Sequence, residues 1–337
     1  MIKGKQSIAF ENPPYILSAA SIVGQKEGEG PLGNYFDKVE PDPQLGKDTW
    51  EEAESELQKQ AAQMALQKAG LTQQDIRYLF CGDLLGQIIA SSFGMLELQI
   101  PMFGLYGACS TAGESLSLAA MTVAAGYASH CLAVTSSHFA SAEKQFRYPL
   151  EYASQRPLST TWTVTGSGAF IVSTEGYVKI TGITTGKMMD YGIKDSMNMG
   201  AAMAPAAADT IFQHFKDFDR TSNDYDLIVT GDLGVVGREL VLDLLKQIFS
   251  EIKAKQMVWT LLIWFQLLVI KQLTESLREF SIKSLISLLD SMVKQWASLI
   301  DLCLFRVQDF SVLLSKLLRL TFLLQPLVTK RKAIKSK

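Results

Sequence analysis

Short apolar runs and longer amphipathic ones succeed each other along the first 245 residues. Residues 48–70, DTWEEAESELQKQAAQMALQKAG, predict a helix. Asp48 stands where a cap belongs, Glu51 lies three positions on as in a capping box, and Gly70 ends the run. IRYLFCGDLL (76–85) predicts a buried strand running into a turn at Gly82-Asp83. STAGESLSLAAMTVAAGY (110–127) is a small-residue helix able to pack closely, and HCLAVTSSH (130–138) is a strand with a polar end. GSGAFIVSTE (166–175) and the alternating YVKITGITTG (177–186) follow as strands. MAPAAAD opens a helix that continues through AAADTIFQHFKDF (206–218), and YDLIVTGD (225–232) reads as a further strand. Strands alternating with helices argue for an α/β protein with a mostly parallel sheet covered on both faces.

After about residue 246 the texture changes. All 24 glycines lie in 1–237, and 238–337 holds one proline, Pro326. Residues 1–250 carry 18 basic and 28 acidic side chains, a net of −10, whereas 251–337 carry 14 and 6, a net of +8, with 20 leucines. This tail is amphipathic helix by pattern. QMVWTLLIWFQLLVI (256–270) is its most apolar run, short of the ~20 residues that cross a bilayer. A core helix or strand is the first reading of that run and an interfacial helix the second.

The whole chain has 337 residues, 47% hydrophobic and 20% charged, which fits a globular protein of one large domain or two medium ones. A net charge of −2 gives no support to a nucleic-acid partner. Cys81, Cys109, Cys131 and Cys303 form no CxxC pair and only three histidines exist, so no metal site is expected, and scattered thiols suggest a reducing compartment. The first residues, MIKGKQSIAFENPPY, lack the apolar core of a signal peptide, so a cytoplasmic site of synthesis is expected.

In open α/β sheets ligands gather beyond the carboxyl ends of the strands. Asp83, Cys109, Ser136, Ser137 and His138 all fall at or just past predicted strand ends. Cys109, in YGACSTAGESLSLAA, precedes a helix whose dipole favours a thiolate; the alternative is a buried structural cysteine. Asp83 is either a turn aspartate bonding its own backbone or a pocket carboxylate. Ser136 and Ser137 offer hydroxyls to a ligand or cap the strand, and His138 contacts the ligand or makes a structural hydrogen bond. His214 reads as a surface or capping histidine. Lys26 and Arg147 are candidate ligand-facing cations, or else solvated loop charges.

FGLYGACSTAGESL (103–116) and TVTGSGAFIVS (163–173) resemble the nucleophile motif and the Gly-rich strand of the thiolase superfamily, most closely ketoacyl synthase III-like proteins. A narrower set is similar to the stage V sporulation protein AD family, SpoVAD. It comprises GPLGNYFDK (30–38), GDLL (82–85), GACST (107–111), TSSH (135–138), AEKQFRYPLEY (142–152), TVTGSGA (163–169), MGAAMAPAAADTIFQHFKD (199–217) and DYDLIVTGDLGVVG (224–237). The resemblance runs from about residue 3 to about 245. It implies a thiolase-like fold of two similar βαβαβαββ halves, the first in 1–173 and the start of the second in 174–245, with 246–337 as a divergent tail.

The resemblance further implies a role in endospore formation. Such proteins act with the other SpoVA membrane proteins to move dipicolinic acid into the developing spore. The expected role is a soluble dipicolinate-binding subunit, peripheral to the inner spore membrane, with no cofactor and with calcium only as part of the bound chelate. A homodimer is implied by analogy. Asp83, Cys109, Ser136, Ser137 and His138 become ligand-binding candidates, and Asp83 could share the ligand's calcium. Condensing enzymes of this fold use a histidine of the second half, after a strand corresponding to DYDLIVTGDLGVVGREL; here Gly231-Asp232 stands in its place, and no histidine follows His214. No catalytic residue is therefore expected, and Cys109 is a vestigial nucleophile. Two alternatives stay open: a ketoacyl synthase III-like acyltransferase using Cys109, and a partner-docking scaffold with a vestigial pocket. The family's GGSGC-type segment is absent after 246. The tail is then an out-of-frame translation or a helical replacement that docks on membrane partners, and the nucleotide sequence around codons 240–260 separates the two.

Overall fold

The structure, a computed structural model, describes residues 1–146, 159–195 and 197–248. Arg147, the apolar run 256–270 and Cys303 lie outside the described residues. So does the tail from residue 249 onward.

The main sheet uses β3 (Tyr15–Gly24), β4 (Lys38–Glu40), β5 (Tyr78–Asp83), β6 (Met102–Leu105), β7 (His130–Ser137), β8 (Gly166–Ser173) and β9 (Val178–Lys179). Its order is β4-β3-β8-β7-β5-β6, with β9 beside β3. A second sheet joins β1 (Ile2–Lys3), β2 (Ser7–Ala9) and β10 (Gly182–Thr184). The helices are α1 (Gln25–Gly28), α2 (Trp50–Ala69), α3 (Ile89–Met95), α4 (Thr111–Ala124), α5 (Phe139–Phe146), α6 (Met199–Phe218) and α7 (Gly234–Ile248).

The main sheet is mixed, where the pattern predicts a mostly parallel one. β5 runs parallel to β6 and β7, and β3 parallel to β4, but β8 is antiparallel to both of its neighbours. The reason is the connection after β7. Ser137 at the end of β7 sits opposite Gly166 at the start of β8, so β8 begins at the end of the sheet where β7 stops.

Both faces of the sheet are covered, which explains the unbroken apolar strands. On one face Leu57, Ala61, Ala62, Ala65 and Leu66 of α2 pack on Leu79, Leu132, Val134 and Ile171. On the other, Leu116, Ala119, Ala120 and Val123 of α4 pack on Phe80, Ala133, Phe170 and Val172. Alanines on the inner faces let the helices lie close. Each fully buried Leu or Ile contributes roughly 1.5–3 kcal/mol by leaving water.

Helix α2 forms as predicted, with a different start. Thr49, not Asp48, is the cap: its Oγ1 accepts from Glu52 N (3.2 Å), and Glu52 Oε2 accepts from Thr49 N (3.1 Å). Gly70 closes the helix in the left-handed region (φ 68). Helix α6 starts earlier than MAPAAAD suggests, because Asn198 Oδ1 accepts from Ala201 N (3.2 Å) and Pro205 is held inside the helix. YVKITGITTG is not one strand; it divides into β9 and β10, which belong to different sheets. YDLIVTGD forms no regular strand. Asp232 alone makes an isolated bridge, and a strand needs a continued ladder of hydrogen bonds to its neighbour.

Candidate functional site

The carboxyl ends of β5 and β7 lie side by side, with Asp83 directly opposite Ser136. Beside them the chain leaves β6 and turns through Ala108–Ser110 into α4. Gly82 is required here. A Cβ on it would sit 2.2 Å from the Leu105 carbonyl and 2.6 Å from Thr111 Cγ2. The turn that carries Cys109 therefore rests directly on the end of β5. Ala108 takes the left-handed conformation (φ 47), uncommon for a residue with a Cβ and a cost the fold must carry. Ser110 Oγ donates to the Gly107 carbonyl (2.6 Å), and Thr111 Oγ1 donates to the Ala108 carbonyl (2.8 Å) while accepting from Gly107 N (3.2 Å). The result is a tight elbow presenting a half-buried thiol, packed against the apolar cluster of α6 and α7.

The other four predicted residues lie at or just past the ends of β5 and β7, and their polar atoms are engaged within the protein. Asp83 is 1% exposed. Its Oδ1 accepts from Leu85 N (3.1 Å), and its Oδ2 accepts from Ser91 N (3.0 Å) and Ser91 Oγ (2.7 Å). It thus fastens the loop after β5 to α3. Burial pushes its carboxyl above the usual range, while the Ser91 bonds pull it back. Ser136 Oγ donates to Glu54 Oε1 (2.7 Å) and accepts from Gln58 Nε2 (2.7 Å). Ser137, half-buried, donates to the Val164 carbonyl (2.7 Å). His138 bonds the Pro43 carbonyl through Nε2 (2.8 Å) and accepts from Ala140 N at Nδ1 (3.1 Å), which fixes the neutral Nε2–H tautomer. Trp50 lies 5.4 Å away, ring to ring, and burial holds His138 below its usual pKa.

The sequence did not announce the layer beneath. Glu54 and Gln58 project from one face of α2, four positions apart, under the strand ends. Gln58 Nε2 also reaches Ser91 Oγ (3.1 Å) and the Gly82 carbonyl (3.1 Å), and its Oε1 accepts from Cys81 Sγ (3.2 Å). Ser141 of α5 completes the set, 2.8 Å from Glu54 Oε2. The available signal was a Glu and a Gln on the alanine-lined face of a core helix.

The remaining candidates lie elsewhere. Asp232 is buried at the start of α7, where its Oδ1 accepts from Gly234 N (2.8 Å). His214 corrects the surface reading: it is 1% exposed. Its Nδ1 meets Thr184 Oγ1 at 2.7 Å and its Nε2 bonds Tyr225 Oη, which also accepts from Arg220 Nη1 (3.0 Å). Burial, and next the Arg220 charge, push its pKa down to about 4. Lys26 stands 3.8 Å above the Trp162 ring. Among the described residues no cluster of three or more His, Cys, Asp or Glu could hold a metal, and no helix is long and apolar enough to cross a membrane.

Sheet, covering helices and elbow cysteine define a thiolase-like α/β protein. OleA from Xanthomonas campestris with cerulenin bound is similar in fold, with a TM-score of 0.51 at 14% identity, covering 81% of this chain and 91% of that one. The 3-oxoacyl-(acyl carrier protein) synthase III from Aquifex aeolicus VF5 aligns at 14% identity and a TM-score of 0.47, covering 73% and 84%. The model of the family described as Stage V sporulation protein AD matches residues 4–265. Stage V sporulation protein AD of Bacillus subtilis (strain 168) is 50% identical over 247 residues, 73% of each chain. This chain belongs to the stage V sporulation protein AD family.

Proposed function

We propose that this chain is a non-enzymatic subunit that binds dipicolinic acid, with calcium entering only as the ligand's chelate. In this reading it works beside the SpoVA membrane proteins at the inner spore membrane to load the developing spore. The observation that carries the non-enzymatic part is the fate of the histidines. The sequence contains three. His130 opens β7, at the end of the strand away from Cys109. His138 and His214 have both ring nitrogens engaged inside the protein. A general base must reach the proton it takes, and no histidine is disposed to serve Cys109. The dipicolinate part is supported by family membership alone. Cys109 and Ser137, the half-buried members of the set, contact the ligand; Asp83, Ser136 and His138 hold the walls. The family match extends to residue 265, past the boundary at 246 expected from the motifs; the remainder of the tail is read as an out-of-frame translation, and a homodimer is expected.

Titrating the full chain with dipicolinate, with and without calcium, tests this. Binding is expected to survive Cys109→Ala within a few-fold. Asp83→Ala, which releases the loop after β5, is expected to weaken it by about tenfold, the ~1.4 kcal/mol of a lost charge-assisted hydrogen bond. No binding by the intact chain would remove the ligand reading.

The elbow itself favours a second reading. A left-handed Ala108 and a thiol left half-buried are what an acyl acceptor needs. A mass increase on Cys109 after incubation with acyl-CoA would establish that reading in place of the first.

A further inference from the structure

Glu54 is 2% exposed, and among the described residues it makes no ion pair. Its neighbours can be counted proton by proton. Ser136 gives its hydroxyl proton to Glu54 Oε1. Ser141 Oγ lies 2.8 Å from Glu54 Oε2 and 3.1 Å from the His138 carbonyl. An ionised Glu54 takes the Ser141 proton; a Glu54 protonated on Oε2 donates to Ser141 and frees it to bond the His138 carbonyl, which also accepts from Ala142 N (3.0 Å). Asp83, supplied by three donors, needs no proton. The two acids are linked through Ser136, Gln58 and Ser91. Two carboxylates sharing a dry site do not both ionise readily.

The charges facing Glu54 agree. β5 brings Asp83 and a thiol, Cys81, that burial keeps protonated. α2 itself brings Glu51, which is paired with Lys144 of α5. The end of β7 brings His138, neutral in its bonded tautomer. No cation on these elements compensates Glu54. Burial, with the Asp83 charge next, pushes its pKa to about 7.

We propose that Glu54 is a positioning residue of the strand-end site and works as a neutral carboxylic acid, its proton fastening α5 and the end of β7 to α2. When the proton leaves, a second negative charge appears behind the pocket. Ser141 then turns its proton to Glu54 and away from the His138 carbonyl, and a dianionic ligand meets a more negative wall. The binding consequence rests on the dipicolinate reading; the proton itself does not.

Two measurements on the full chain keep those apart. The first is urea unfolding of wild type, Glu54→Gln and Glu54→Ala from pH 4.5 to pH 8. Glu54→Gln replaces the neutral acid by a neutral amide. It is expected to abolish Glu54's share of the loss of stability between about pH 4.5 and pH 7, and its infrared spectrum is expected to lack one protonated-carboxyl band present in wild type. The second is dipicolinate titration above about pH 6, where the ligand's carboxyls are both ionised. Wild-type affinity is expected to fall by about tenfold between pH 6 and pH 8.5, Glu54→Ala to be about tenfold weaker throughout, and Glu54→Gln to restore binding and remove the pH dependence. An unchanged stability slope and an unchanged carboxyl band in Glu54→Gln overturn the proton assignment. A flattened stability slope with unaltered pH dependence of binding overturns the positioning role. A flattened slope with no wild-type binding supports the proton and fails the ligand reading instead. Should Glu54→Ala not fold, Glu54→Gln and the infrared band decide.

Discussion

At the scale of single residues, several buried groups titrate away from their usual range, and in opposite directions. Glu27 is 5% exposed; its Oε1 accepts from Thr165 N (3.2 Å), and its Oε2 has no hydrogen-bond partner. Burial pushes its pKa to about 7 from 4.5. The folded protein therefore keeps a proton that the unfolded chain has released. This group's contribution is whole below about pH 4.5, falls by about 1.4 kcal/mol per unit as pH rises toward 7, and is level beyond. His214 acts in the other sense. Its folded pKa of about 4 lies below the ordinary 6.5, so its contribution is whole above pH 6.5 and is lost as pH falls toward 4. Glu27→Gln is expected to raise stability at about pH 7.5 relative to about pH 5 when urea midpoints are compared with wild type; parallel profiles would count against the assignment. The residue scale was also where the sequence was least legible. Asp83, Cys109, Ser136, Ser137 and His138 could be grouped, because strand ends are readable from apolar runs. Glu54 and His214 could not, since a charged or titratable side chain in a helix looks solvated until the neighbouring elements are known.

At the scale of elements, α6 and α7 meet through two glycines. A Cβ on Gly237 would lie 2.8 Å from Gly200 Cα, and one on Gly200 would lie 2.1 Å from the Leu233 carbonyl. Backbone on both sides leaves no flexible side chain to yield. Gly237→Ala is expected to cost about 1–3 kcal/mol, read as a lowered thermal midpoint, despite alanine's better helix propensity. A raised midpoint would show that the two helices are free to separate. Helices were the most legible elements. The length of α2 and its Gly70 stop were plain, and only its cap was misplaced by one residue, because Asp48-Thr49 and Glu51-Glu52 supply two overlapping capping boxes. Strands were legible where both faces are covered. YVKITGITTG and YDLIVTGD show the limit: alternation fixes which way side chains point, while pairing depends on which edges the rest of the chain offers.

At the scale of the whole molecule, the main sheet ends in β6, which among the described residues pairs with β5 alone. Phe103 and Tyr106 there are 52% and 56% exposed, and Phe93 and Leu96 beside α3 are exposed as well. A sheet edge left unpaired among the described residues and lined by aromatics invites a second strand, and the expected homodimer would continue the sheet across it. Phe103→Asp is expected to shift the sedimentation coefficient from dimer to monomer; a monomeric wild type would dismiss the idea. The small sheet has a consequence of a different kind. Ser7, paired with Thr184, also donates to Asp217 Oδ2 (2.9 Å), as does Gln6 N (3.0 Å). On the ribosome Ser7 and Gln6 reach Thr184 and Thr185 first, and their bonds to Asp217 close only once that residue has emerged. At about 5–20 residues per second that is a wait on the order of 10–40 s. A chaperone that shields nascent N-terminal segments therefore has a defined window in which to act.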